Sequence, residues 1–162
     1  RVLFRSQKDY PFIFTNGVQA SYVEVDPETG FVKLLKHWAV EDCGRVINPM
    51  LVNEQVRGAI VQGIGGVLFE ECLYDDSGLL RNGSMADYLV PMANEMPDIE
   101  VAHVETPTQS SKLGAKGAGE AGTAGAPGAV QNAINDALVP FNATVFDQPI
   151  TSEKILRALK KI

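Results

Sequence analysis

One carboxylate in this sequence stands among five glycines, in the segment from Lys112 to Gly125. The acid is Glu120, and Lys116 lies four residues before it. Glycines at this density cost backbone entropy that only close backbone approach or positive φ angles recover. A carboxylate beside several unhindered N–H groups can serve as a general base next to a bound anion. The segment is the first candidate site, and a flexible Gly/Ala linker is the alternative.

The same segment contains the spacing Gly117-x-Gly119-x-x-Gly122, which formally matches the dinucleotide-binding fingerprint. In that fingerprint the glycines follow a strand directly, whereas here a loop of about a dozen residues, Pro107–Gly119, comes first. Glu120 would also place a negative charge beside the pyrophosphate. The pattern therefore argues against a dinucleotide site of this kind, and no Gly-Lys-Ser/Thr sequence supports a P-loop.

The composition is that of an ordinary globular domain: 162 residues, 45% hydrophobic and 21% charged. A net charge of −6 argues against nucleic acid or an anionic membrane as partner. The apolar run from Ala59 to Phe69 is too short to span a bilayer. Cys43 and Cys72 form no C-x-x-C pair, so neither a disulfide framework nor an iron–sulfur site is predicted, and a reducing cytoplasm is the expected location.

Local patterns predict the elements that would position this acid. Residues 19–25 and 31–40 alternate as strands around a Pro-Glu-Thr-Gly turn, which predicts a hairpin. Further along, the patterns predict a turn at 75–78 between short strands, strands at 99–106 and 143–146, a helix at 127–138 and a final helix from 151 to about 160. The predicted class is α+β: a mixed sheet with hairpins, two main helices and a C-terminal helix.

The first long helix is predicted from Asn48, as N-cap, and Pro49 to about residue 71. Its four glycines indicate that a neighbouring element or a ligand packs close to its backbone. Gln55 and Gln62 lie two turns apart and so share one face. That face either addresses a ligand or is solvated.

Five motifs occur in the order and at the spacing of one enzyme family: Asp42-Cys-Gly-Arg-Val-Ile-Asn-Pro49, Asn53-Glu-Gln-Val-Arg-Gly58, Gln62-Gly-Ile-Gly65, Asp87-Tyr-Leu-Val-Pro91 and Gly114-Ala-Lys-Gly-Ala-Gly-Glu-Ala-Gly122. They resemble the molybdenum-binding subunits of the xanthine dehydrogenase and aldehyde oxidase family, in particular large subunits similar to carbon monoxide dehydrogenase. The resemblance covers residues 10–162, which we interpret as the C-terminal part of a molybdopterin-binding domain. Residues 1–9 are interpreted as a tag, a processing scar or a ragged start.

The resemblance implies a molybdenum hydroxylase that oxidises an aldehyde, an N-heterocycle or a similar small substrate with oxygen from water. It makes Glu120 the general base at the molybdenum centre and Gln55 a pterin contact. It places further cofactor contacts at Gln62, Lys116, Gly117, Gly119 and Thr123. The implied cofactor is a molybdopterin, in the cytosine dinucleotide form, with iron–sulfur clusters and FAD on partner domains or subunits.

Subunits of this family are several times longer than this chain, which therefore looks like a fragment. The remaining part of the large subunit is an expected partner, together with the iron–sulfur and flavin subunits. Two other hypotheses stay open at this point. One is a folded but chemically inert structural domain, and the other is a nucleotide-binding module that uses the glycine loop alone.

Overall fold

The computed structural model describes residues 13–162, and the segment interpreted as a tag or ragged start, residues 1–9, lies outside them. Three strands form one sheet in the order β1 (Asn16–Val25), β2 (Val32–Asp42) and β3 (Asp98–His103). The helices are α1 (Pro49–Leu68), α2 (Ala121–Leu138) and α3 (Ser152–Ala158). Short 3₁₀ turns occupy Ala93–Glu95 and Val139–Phe141. This arrangement confirms the predicted α+β class.

β1 and β2 pair antiparallel as the predicted hairpin, and β2 pairs parallel with β3. The turn between the first two strands is held by Asp26, whose carboxylate accepts bonds from the Glu28 N–H and the Thr29 hydroxyl. Gly30 closes this turn at a φ of +71°, a conformation that side chains disfavour. The parallel pairing requires a crossover, and α1 lies between β2 and β3 in the chain.

Helix α1 begins where local chemistry predicts. The Asn48 side chain accepts a hydrogen bond from Leu51 N, and Pro49 occupies the first helical position. The C-terminal helix α3 is capped in the same way by Thr151, which accepts a bond from Lys154 N. Both caps satisfy backbone donors that a helix N-terminus leaves without intrahelical partners.

One face of the sheet points toward α1 and α2. His37, Ala39 and Glu41 of β2 are buried on this face, whereas Trp38 on the other face is 37% exposed. The core between sheet and helices is aliphatic; its fully buried members include Val56, Ile60, Ile64, Val130, Ile134, Leu138 and Ile155. At the end of the sheet nearest the start of α2, this inner face becomes polar.

Helix α2 starts at Ala121, six residues before the predicted start at Pro127. Proline is typical of the first turn of a helix, but Pro127 lies inside α2 and forgoes only the bond that an N–H there would have made to Thr123 O. Tertiary packing outweighs this loss, because Ala126 and Val130 on either side are fully buried against the core. The earlier start puts Glu120 at the helix N-terminus.

The strand predicted at residues 143–146 is absent from the described sheet, and this prediction was wrong. Val145 is instead fixed by the Asn135 side chain, which accepts from Val145 N at 2.8 Å and donates to Val145 O at 3.0 Å. A side-chain amide thus satisfies the backbone groups that a neighbouring strand would otherwise bind. The short strands predicted around residues 75–78 reduce to a single bridge between Tyr74 and Leu80, although the turn itself is present.

Candidate functional site

Glu120 is the residue immediately before α2 and occupies the N-cap position of this 18-residue helix. Its side chain makes no capping bond and is exposed. Within residues 13–162 the carboxylate has no hydrogen-bond or ion-pair partner. The N-terminal end of a helix presents unpaired N–H groups and favours negative charge. Glu120 is therefore an acid held in place by its backbone, with its carboxylate available to a ligand.

Gln55 of α1 reaches the residue next to this acid. Its Nε2 donates a hydrogen bond of 2.8 Å to Gly119 O. The bond spans 64 residues of sequence and places the polar face of α1 beside the glycine loop. Gln55 and Glu120, which the resemblance assigns to one cofactor, therefore lie on the same side of the fold, whereas their chemical roles stay predictions.

A cleft of about 550 Å³ opens beside Glu120. The glycine loop forms one wall through Gly117, Gly119 and Glu120. The opposite wall comes from the start of β1 and the end of β2; it includes Phe14, Thr15, Gly17, Gln19 and Glu41. The cleft therefore carries two carboxylates, one exposed at its rim and one that is 2% exposed.

A chain of buried and partly buried polar side chains runs from this cleft into the sheet. Gln19 Nε2 donates to Glu41 Oε1 at 3.1 Å and to Gly122 O at 3.0 Å, which leaves Gln19 Oε1 facing His37 Nε2 at 3.1 Å. His37 Nε2 must then carry the proton, and Nδ1 accepts from the Ser21 hydroxyl at 2.8 Å. Both ring nitrogens of His37 and both polar atoms of the Gln19 amide are matched when His37 is neutral.

Burial sets the ionisation of two members of this chain. It lowers the pKa of His37 to about 4, so the imidazole is neutral near pH 7. Burial also raises the pKa of Glu41, and the hydrogen bond from Gln19 and the charge of His103 partly offset that rise. The polar chain is thus built around a neutral histidine and one buried carboxyl group.

Lys116 holds the glycine loop to the sheet. Its Nζ lies 3.0 Å from Asp42 Oδ2, and both side chains are largely buried. Asp42 Oδ1 also accepts from the N–H groups of Gly44 and Thr106. Bonds from Thr106, together with those from Gly44 and Lys116, hold the pKa of Asp42 well below its usual range. The Lys116 side chain therefore points away from the cleft and fixes the base of the loop.

Two further predicted contacts lie elsewhere. The Thr123 hydroxyl donates to Ala59 O at 2.9 Å and so joins α2 to α1. Gln62 is exposed on α1, two turns beyond Gln55, and does not line the cleft. Of the seven predicted site residues, the structure brings together Gln55, Gly117, Gly119 and Glu120.

The sequence motifs do not predict Gln19 and Glu41 as residues of the site. Their positions along the strands carry a usable signal. Gln19 and Ser21 lie on the same face of β1 as the inward Val23 and Val25, and Glu41 lies on the same face of β2 as Ala39. Polar residues at core-facing strand positions need partners. That requirement points to a polar site, though the identity of the partners depends on the tertiary fold.

Two negative findings apply to the described residues alone. Between Ile13 and Ile162, no group of three or more His, Cys, Asp or Glu side chains is arranged to hold a metal ion. No helix in the same part of the chain is long and apolar enough to cross a membrane.

Comparison with known proteins identifies the family. Residues 3–97 match the family described as the molybdopterin cofactor-binding domain. The nicotine 6-hydroxylase large subunit of Paenarthrobacter nicotinovorans is 49% identical over 150 residues, which cover 93% of this chain and 18% of that protein. The carbon monoxide dehydrogenase large chain of Hydrogenophaga pseudoflava is 32% identical over 152 residues, or 94% of this chain and 18% of that one.

The fold shows the same relationship. The crystal structure of quinoline 2-oxidoreductase from Pseudomonas putida 86 matches with a TM-score of 0.87 and 44% identity, over 91% of this chain and 19% of that chain. The chain thus spans about one fifth of the length of these relatives. On the combined match of family, sequence and fold, the chain belongs to the molybdopterin cofactor-binding domains of the xanthine dehydrogenase type of molybdenum oxidoreductases.

Proposed function

We propose that this chain forms one wall of a molybdenum cofactor site in an oxidoreductase that hydroxylates an N-heterocycle, an aldehyde or a similar small substrate. The observation that carries the proposal is the position of Glu120 at the start of α2, beside a cleft and next to Gln55, with no partner for its carboxylate among residues 13–162. The names of the relatives, which include a nicotine 6-hydroxylase and a carbon monoxide dehydrogenase, support this substrate range without choosing within it.

The residues present fit a bound pterin cofactor. Within residues 13–162, no atom lies within 4 Å of the place where a Cβ of Gly119 would stand, so this part of the chain leaves room for a ligand at its backbone. Gly58 and Gly66 on the exposed face of α1 are equally open. Gln55 uses one amide hydrogen on Gly119 O, and its carbonyl oxygen and second amide hydrogen remain for a heterocycle edge.

The chain's own contribution to the reaction follows from this arrangement. When bound, the cofactor supplies a two-electron oxidation in which oxygen from water reaches the substrate. Glu120 accepts the proton from the attacking oxygen as general base, and the backbone N–H groups at the start of α2 favour negative charge in the cleft. Lys116 acts indirectly, because its ion pair with Asp42 fixes the loop that ends at Glu120.

The wider setting belongs to the same proposal. The cofactor is the cytosine dinucleotide form, and iron–sulfur and flavin groups on partner subunits receive the electrons. The relatives named as large subunits or large chains support such a complex. We also propose a cytoplasmic location, which agrees with two free cysteines, Cys43 and Cys72.

The test uses the complete enzyme, produced with its partner subunits and the cofactor maturation machinery. Glu120→Gln keeps the size of the side chain and removes the base, so we expect normal molybdenum content and a loss of kcat of at least about 10²-fold. Gln55→Ala should instead lower molybdenum and pterin content, with less change in activity per bound metal. Glu24→Gln, an exposed glutamate on the far face of β1, is the matched control.

Two results would contradict the proposal. Near-normal turnover of Glu120→Gln at full molybdenum occupancy would show that Glu120 is not the general base. A complete wild-type enzyme that carries no molybdenum or pterin would favour the inert structural domain.

A further inference from the structure

We infer that Glu41 is a second ligand-binding carboxylate of the cleft, which accepts a hydrogen bond from an N–H or O–H group of the molecule bound there. The inference rests on the proposed function, because it takes the cleft beside Glu120 to be the cofactor and substrate site. It assigns to Glu41 recognition of a donor and no share in the proton transfer at Glu120.

The Glu41 carboxyl group lies at the wall of the cleft. It lines the cleft although the residue is 2% exposed. Oε1 accepts the bond from Gln19, whereas Oε2 has no partner among residues 13–162. On the strand side the carboxyl group lies against Gly17, where a Cβ would meet Glu41 Oε2 first and would come within 2.6 Å of Cδ. The absence of a side chain at Gly17 therefore makes room for this acid at the cleft wall.

Hydrogen bonds at both ends of its amide fix the orientation of Gln19. Its Nε2 binds both Glu41 and Gly122 O, and its Oε1 faces the His37 ring, which is itself held by Ser21. Turning the amide over would set its oxygen against the Gly122 carbonyl. Gln19 can therefore satisfy only one oxygen of Glu41, and the other, Oε2, lies beside Gly17, which lines the cleft as Glu41 does.

The Glu41 carboxyl group has no ion-pair partner among residues 13–162. His103 of β3 is aligned with Glu41, but its Nε2 lies 2.6 Å from Asn53 Oδ1 and no ion pair joins it to Glu41. No other cation of the described chain forms an ion pair with Glu41. A buried carboxyl group with one hydrogen bond is costly, so a donor from a ligand would stabilise it. Such a donor could belong to the edge of the pterin or to the substrate.

The test is Glu41→Gln in the complete enzyme with its partner subunits. The new side chain can turn its carbonyl oxygen to Gln19, which preserves the interior network and presents an NH₂ group to the cleft. The variant thus exchanges an acceptor for a donor at one place. We expect ligand binding to weaken on the order of 10-fold to 100-fold, as for loss of a hydrogen bond to a charged group.

Two readouts separate the sources of the donor. A fall in molybdenum and pterin content per subunit assigns the donor to the cofactor. Unchanged content with weaker calorimetric binding of nicotine, whose protonated amine is an N–H donor, assigns it to the substrate. Binding of N-methylnicotinium, which keeps the charge without the N–H, should then be insensitive to the change.

Ser21→Ala is the control, because it cuts the far end of the polar network and leaves the cleft unaltered. It should keep both readouts at the wild-type level. If Glu41→Gln fails to fold, Glu41→Asp, which keeps the charge and shortens the reach, should show the same loss. With unchanged cofactor content, the inference is overturned if Glu41→Gln binds nicotine as tightly as the wild type, or if the wild-type enzyme itself binds no nicotine. An equal loss in Ser21→Ala overturns it as well.

The outcome is distinct from that of the proposed function. This inference alone fails if the wild-type enzyme contains molybdenum, Glu120→Gln is inactive, and Glu41→Gln keeps wild-type cofactor content and nicotine binding. If the wild-type enzyme contains no molybdenum, both this inference and the proposed function fail.

Discussion

The contact between α1 and α2 should tolerate no side chain at Gly122. A Cβ at this position would lie 2.5 Å from Val56 O and 3.0 Å from Ile60 N, both backbone atoms of α1. An ordinary carbon–oxygen contact begins near 3.4 Å. Gly122→Ala must therefore push the first turn of α2 away from α1 by roughly 0.9 Å, since backbone atoms cannot rotate aside as a side chain can.

The expected magnitude combines two opposing effects. Alanine gains about 1 kcal/mol of helix propensity over glycine, whereas overpacking of a tight contact costs about 1–3 kcal/mol. The displacement also stretches the 2.9 Å bond from Thr123 Oγ1 to Ala59 O. We expect a net destabilisation of about 1–2 kcal/mol, which lowers Tm by roughly 3–6 °C for a domain of this size.

The assay is thermal unfolding of the purified chain, followed by far-UV circular dichroism. Gly128→Ala is a matched control on the same helix, because Gly128 is exposed and a Cβ there meets no atom of the described chain within 4 Å. It should raise Tm by about 2–4 °C through helix propensity alone. If Gly122→Ala is as stable as Gly128→Ala, the close approach of the two helices is not what selects glycine at residue 122.

Two further predictions concern buried charge. Because the native pKa of His37 is about 4, below its unfolded value near 6.5, the unfolded chain binds this proton first and stability falls as pH drops through that window, by at most about 3 kcal/mol. His37→Gln can keep both hydrogen bonds without titrating, so the wild-type minus variant difference in urea midpoint should vary between pH 7 and 4; a constant difference would refute this. Lys116→Met removes the ion pair to Asp42 and should expose Lys112 to faster trypsin cleavage. Trypsin should cleave Lys116→Arg after Lys112 at the wild-type rate. Equal cleavage rates for all three proteins would show that the ion pair does not hold the loop.

Local chemistry explains which elements could be predicted. The start of α1, the cap at Thr151 and the turn at Asp26 each depend on residues within four positions of one another, and all three appear as expected. The start of α2 and the strand at 143–146 were wrong because distant packing decides them. The helix tolerates Pro127 because its neighbours are buried in the core. The backbone of Val145 binds the side chain of Asn135 and not a neighbouring strand.

The site divides in the same way. Glu120 and Gln55 could be placed together because family motifs carry their relationship, although 64 residues separate Gln55 from its bond partner. Lys116 and Thr123 belong to the same motifs, yet their side chains hold the loop and the helix pair. Glu41 could not be found from any motif of its own. Its depth and its free oxygen depend on the pairing of three strands and on the placement of Gln19.

The bond from Gln19 to Gly122 spans 103 residues and has a consequence for the order of folding. Closing a loop of that length costs entropy before any contact offsets it, and contacts distant in sequence slow folding. The β1–β2 hairpin can form early, but the cleft needs α2 seated on both β1 and α1. Competence to bind a ligand should therefore appear late in folding, after most of the secondary structure has formed.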